Sequence, residues 1–121
     1  MKRRIVLLMS AAALVLAGSG AVADEQIEIR LFGRYFMEPA TVQVTVAVAP
    51  DRNNRMLHIE ADGERMYRSS EVALVGDGEK RLHTIQFKNL AAGNYTLRAE
   101  VLSSSESIIA MAEQELVVAG R

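Results

Sequence analysis

Cysteine and tryptophan are absent from the 121 residues, and the chain has only two prolines, three tyrosines and three phenylalanines. Without cysteine there is no disulfide, no thiolate metal ligand, no thiol nucleophile and no disulfide exchange. Small exported domains often draw about 2–4 kcal/mol from each disulfide, so this one has to hold together by packing alone. An excess of one charge sign is also missing: 14 Lys and Arg stand against 15 Asp and Glu, mixed along the chain. A nucleic-acid-binding domain shows a basic stripe or face, and that class is excluded. No 3.6-residue apolar stripe appears beyond residue 23, which excludes a helical bundle. No serine sits in a G-x-S-x-G setting, and a domain of this size has little room for a buried cleft. The sequence reads as that of a non-enzyme.

What is present begins with an address. Lys2, Arg3 and Arg4 make a basic start, and Ile5 to Ala17 is apolar. Gly18-Ser19-Gly20 breaks a helix, and Ala21-Val22-Ala23 places small residues where a signal peptidase reads them. A membrane anchor needs about 20 apolar residues, and this run stops short at the glycines. Residues 1–23 therefore read as a cleavable signal peptide with the cut after Ala23, where no cysteine allows lipid attachment. The expected product is residues 24–121, periplasmic or secreted, with no transmembrane segment. Lys2, Arg3 and Arg4 leave with the leader, so 11 basic residues face 15 acidic ones and the formal charge becomes −4. A chain of this length supports one small core but not two.

Beyond the leader the dominant signal has period two. Ile27, Ile29 and Leu31 alternate with Glu28 and Arg30. Gly33 and Pro39 then interrupt pairing, as a bulge and an edge position do. Val42, Val44, Val46 and Val48 interleave with Thr41, Gln43, Thr45 and Ala47, which predicts a strand with one face on a core. Pro50 to Asn54 closes it with turn residues. A third strand runs from Met56 to Ala61 with Leu57, Ile59 and Ala61 on one side, and Asp62-Gly63 is read as its turn. Glu64 to Val75 holds weaker strands at Met66–Arg68 and Glu71–Val75, and Gly76-Asp77-Gly78 turns the chain again. Leu82 to Lys88 presents His83, Ile85 and Phe87 on one face. The expected fold is all-β.

In the stretch from Asn89 to Val101 a Gly turn leads into a tyrosine and then into strict alternation. About seven short strands spaced by turn signals predict an immunoglobulin-like antiparallel β-sandwich over residues 24–121. In that architecture a tyrosine just past the turn commonly bonds back to the backbone and pins the corner. Leu90 would end one strand, Gly93 would supply the turn and Tyr95 would be the corner, with Leu97, Ala99 and Val101 continuing on its face. The run from Leu90 to Leu97 resembles the L-x-x-G-x-Y-x-L turn of fibronectin type III and related bacterial immunoglobulin-like domains. It is also similar to the turn of carboxypeptidase-regulatory, transthyretin-like sandwiches. The resemblance implies a sandwich and no catalytic residues.

Each candidate for chemistry has a plainer reading. His58 and His83 could share a metal only if their strands were neighbours, and their partners at spacing two, Met56, Glu60, Arg81 and Ile85, add one good ligand at most. Met37, Met56, Met66 and Met111 are too scattered for a soft-metal site and read as core and edge fillers. Asp62, Glu64, Asp77 and Glu79 lie in Gly-containing turns without the spacing of a calcium loop. Asn94-Tyr95-Thr96 is formally a glycosylation sequon but falls on the corner and reads as turn chemistry. No cofactor and no catalytic residue are expected.

Two stretches are candidates for binding a protein partner. Arg34-Tyr35-Phe36-Met37 combines the residue types enriched at interfaces; alternatively Phe36 plugs one end of the sandwich and Tyr35 covers it. Ile108-Ile109-Ala110-Met111 is apolar on both faces, so Ile109 and Met111 fit either an edge that accepts a partner strand or a strand covered on both sides. The expected function is a non-enzymatic interaction or scaffold module of the bacterial envelope, partnered by another envelope protein. The alternative is a periplasmic carrier of a small ligand or metal.

Overall fold

The valine row becomes the middle of a three-stranded sheet in the computed structural model, which describes residues 22–23, 26–33 and 35–121. Strand β4 (Ala40–Val48) lies between β2 (Ile27–Leu31) and β7 (Leu82–Leu90), all antiparallel. The register sets Ile29, Val46 and His83 in one row and Leu31, Val44 and Ile85 in the next. Val42, Val44, Val46 and Val48 are buried, while Thr41 and Gln43 face out. β-branched side chains suit this half-buried, pleated position.

The second sheet is built on β5 (Met56–Gly63), β6 (Tyr67–Ala73), β8 (Gly93–Leu102) and β9 (Ile108–Ala119), in the order β6-β5-β8-β9. Two short strands add to the far edge of β9. One is β1 (Val22–Ala23), antiparallel against Ala112 and Glu113; the other is β3 (Tyr35–Met37), parallel against Val117 to Ala119. The chain crosses between sheets after β1, β2, β3, β4, β6 and β7, so most strand pairs are distant in sequence. Among the described residues no helix is long and apolar enough to cross a membrane. The leader expected over residues 1–23 lies outside the described residues apart from the Val22–Ala23 pairing.

The core is the space between the sheets. Leu57, Ile59 and Ala61 of β5, Leu97, Ala99 and Val101 of β8, and Ala110, Ala112, Leu116 and Val118 of β9 meet the valines of β4 with Ile85 and Phe87 of β7. Burying a Val, Leu, Ile or Phe side chain contributes roughly 1.5–3 kcal/mol, and this is the stabilisation that replaces disulfides.

Two local readings need correction. Asp62-Gly63 is not the turn but the end of β5, and the reversal falls on residues 64–66, where the Gly63 N–H donates to the Met66 carbonyl at 2.9 Å. The stretch from Glu64 to Val75 forms one edge strand, β6, rather than two, because β5 offers it a continuous ladder from Tyr67 to Ala73.

Candidate functional site

The end of the sandwich where β7 hands over to β8 is fixed by Tyr95. Its ring is buried and its hydroxyl donates to the Ala91 carbonyl at 2.7 Å. Leu90 is fully buried ahead of it, and Gly93 turns the chain at φ 152°, a conformation that disfavours any side chain. Glu38, which sequence reasoning missed, braces the same corner. Its carboxylate accepts the Ala92 N–H at 3.1 Å and the Arg121 N–H at 3.4 Å, while its own N–H donates to the Ala119 carbonyl at 2.9 Å. The sequence signal was a lone acid beside Pro39, which does not announce partners at residues 92 and 121.

Burial is the main cause that pushes the Tyr95 hydroxyl above its usual value near 10. The unfolded chain then ionises first as pH rises past about 10, so this contribution is complete below that pH and is lost as pH climbs toward the folded value. Tyr95→Phe should cost about 1 kcal/mol at neutral pH by removing the hydrogen bond and should flatten the alkaline fall in stability. Urea melts of both proteins from pH 7 to 11 measure the two effects together.

Beside this corner β3 leaves large apolar side chains exposed. β3 pairs so that Tyr35 sits by Val117 and Met37 by Ala119. Tyr35 is 77% exposed, Met37 61% and the nearby Phe32 79%. Phe36, between them, turns the other way and packs on the core. The aromatics thus divide: Phe36, Phe87 and Tyr95 serve the interior, and Phe32, Tyr35 and Tyr67 stay outside. Arg34, between Phe32 and Tyr35 in sequence, lies outside the described residues.

The second candidate stretch is not brought to this patch. Ile109 packs against the core and Met111 is half-buried. Both sit near the start of β9, about 20 Å (Met111) and 26 Å (Ile109) from Val117 at roughly 3.3 Å per residue. On the outer face of the β5–β8 sheet, Arg98 bonds Glu100 at 3.0 Å and lies 3.7 Å from Glu113. The Tyr67 hydroxyl donates to Glu60 at 2.8 Å, and that carboxylate raises its pKa.

The two histidines belong to different sheets. His58 lies on the outer face of β5, its Nδ1 4.0 Å from Glu100. His83 points into the core, and its Nε2 has no hydrogen-bond partner among the described residues. Those residues contain no group of three His, Asp or Glu placed to hold a metal ion. An unpaired buried polar atom is costly, so His83→Leu should raise stability by about 1 kcal/mol, read as a higher melting temperature. An unchanged or lower value would reveal a partner for Nε2 in solution.

No protein-family profile matches the chain, and no curated protein matches it by sequence. Solved structures do match by shape. A fibronectin(III)-like module of Clostridium thermocellum CbhA aligns at a TM-score of 0.53 with 15% identity, over 82% of this chain and 94% of that one. The CARDB domain of a Pyrococcus furiosus protein, solved in complex with di-metal ions, aligns at 0.51 with 14% identity, over 82% and 96%. The PmoD soluble domain of Methylocystis sp. (Rockwell) aligns at 0.50 with 9% identity, over 84% and 98%. At these identities the likeness is one of fold. The chain has an all-β, two-sheet immunoglobulin-like sandwich fold, similar to that of fibronectin type III-like and CARDB domains.

Proposed function

We propose that this chain is a non-enzymatic interaction module, exported by residues 1–23 to the periplasm or beyond, which docks another envelope protein through Phe32, Tyr35 and Met37. One observation carries the reading: three large apolar side chains, Phe32, Tyr35 and Met37, stand exposed within six residues of each other. Tyrosine, phenylalanine and methionine are enriched where proteins meet, and a rigid sheet edge presents them with little ordering cost. The neighbouring folds are modules of similar size, which supports a binding or scaffold role. The alternative, a small-ligand or metal carrier, is favoured by the metal-bound CARDB neighbour. The described residues, however, gather no comparable ligand set.

The test is a photo-cross-linking amino acid placed at Tyr35, and separately at the exposed Lys88, in cells expressing the full sequence. A single stoichiometric adduct from position 35, absent from position 88 and lost when Met37→Ser is added, is the expected result. The same adducts from both positions would end the reading. The exported product should begin at Asp24. Tyr35→Ser with Met37→Ser should change stability by no more than about 0.5 kcal/mol, since both side chains are exposed. A native mass spectrum showing a bound metal or small molecule would favour the carrier.

A further inference from the structure

At the opposite end of the strands from Tyr35 and Met37, the outer face of the three-stranded sheet carries a depression of about 520 Å³ lined by Arg30, Ala47, Lys80, Arg81 and Leu82. Its floor is apolar: Leu82 is 48% exposed, and Ala47 lies beside it in register. Its rim is cationic. Arg30 is paired to Glu28 at 3.2 Å, whereas Lys80 and Arg81 form no ion pair among the described residues. Two uncommitted cations beside an exposed leucine select a partner that brings a carboxylate and an aliphatic side chain together.

The chain carries such a partner on itself. The β8–β9 hairpin tip, residues 103–107, exposes Glu106 at φ 64° and is followed by Ile108, 55% exposed. Neither side chain is used by the fold. The tip is held in shape by its own hydrogen bonds. Ser103 Oγ accepts the N–H groups of Ser105 and Ser107, both at 3.3 Å, and the Ser103 N–H donates to the Ser107 carbonyl at 2.9 Å. A tip already ordered loses little freedom on docking. Around it, Glu71 adds a second carboxylate, while Arg55, whose Nη1 donates to the Arg52 and Asn54 carbonyls, offsets one of the two and leaves the surroundings of the tip net negative.

We infer that the basic depression docks the hairpin tip of a second copy of this chain, with Glu106 between Lys80 and Arg81 and Ile108 over Leu82 and Ala47. Opposite charges steer the encounter and fix its register, and the buried leucine–isoleucine contact holds it. This surface is separate from the Tyr35 patch, so either reading stands if the other fails.

Sedimentation velocity on the protein purified from cells expressing all 121 residues tests it. Association should grow with concentration at about 20 mM salt and weaken at roughly 0.5 M, where screening shortens the reach of charges to a few ångströms. Lys80→Gln with Arg81→Gln, and separately Glu106→Gln with Ile108→Ser, should each weaken association about tenfold or more; all four side chains are exposed, so the fold is spared. An equimolar mixture of the two variants should associate more tightly than either alone, because an intact depression then meets an intact tip. A monomer up to about 1 mM at low salt, or association that neither variant nor mixing alters, would overturn the inference. So would binding of a simple anion such as hexanoate at Leu82 by a chain that never self-associates.

Discussion

Gly63→Ala should be among the most damaging single-methyl changes available in this chain. Gly63 lies directly across from Tyr95 in the β5–β8 ladder. A Cβ built there would fall 2.5 Å and 2.6 Å from ring carbons of Tyr95 and 3.1 Å from the Met66 carbonyl oxygen. The ring cannot retreat, because it is buried and its hydroxyl is fixed on Ala91. Overpacking of this kind costs about 1–3 kcal/mol, and here the corner hydrogen bond is at risk as well, so the upper part of that range is expected. For a domain near 100 residues this lowers the melting temperature by roughly 10 °C or more. The diagnostic is coupling: in a Tyr95→Leu background, where the clashing ring is gone, the added cost of Gly63→Ala should shrink by at least 1 kcal/mol or so. Equal costs in both backgrounds would show that the ring is not what requires glycine.

Leu97→Ala should cost more, about 3–5 kcal/mol, in the upper range for a buried leucine. Leu97 is fully buried on β8, the strand flanked by both β5 and β9. Its neighbours are fixed in two ladders and cannot collapse into the space left behind. A domain without disulfides holds only about 5–15 kcal/mol in total, so this variant should be partly unfolded at 37 °C by circular dichroism. Thr96→Ala, one residue away on the outer face, loses only a 3.3 Å contact to Glu115 and should stay within about 0.5 kcal/mol of the parent. A similar loss at both positions would contradict the inside–outside assignment of β8.

Legibility followed the range of the interaction. The faces of β4, β5, β7 and β8 were readable because alternation is local: consecutive side chains on a strand point to opposite sides whatever the partner. Tyr95 was readable because its acceptor, Ala91, is only four residues away. The role of Gly63 was not, because an Asp-Gly pair is also a strong turn signal and the reason for glycine lies 32 residues further on, in the ring of Tyr95. Nor were the bonds from Glu38 to residues 92 and 121, which join segments that meet only after both sheets have formed.

The amino-acid order alone determined an all-β domain, the identity of most inward-facing residues and the corner that ties β7 to β8. Only the assembled sandwich decided that His58 and His83 belong to different sheets, that β3 runs parallel to the end of β9 leaving Tyr35 and Met37 outside, and that Lys80, Arg81 and Leu82 share one depression with Arg30. A two-residue period specifies which face of a strand is apolar but carries no information about its neighbours. Those are set by burial summed over the whole core and by backbone pairing between segments far apart in sequence.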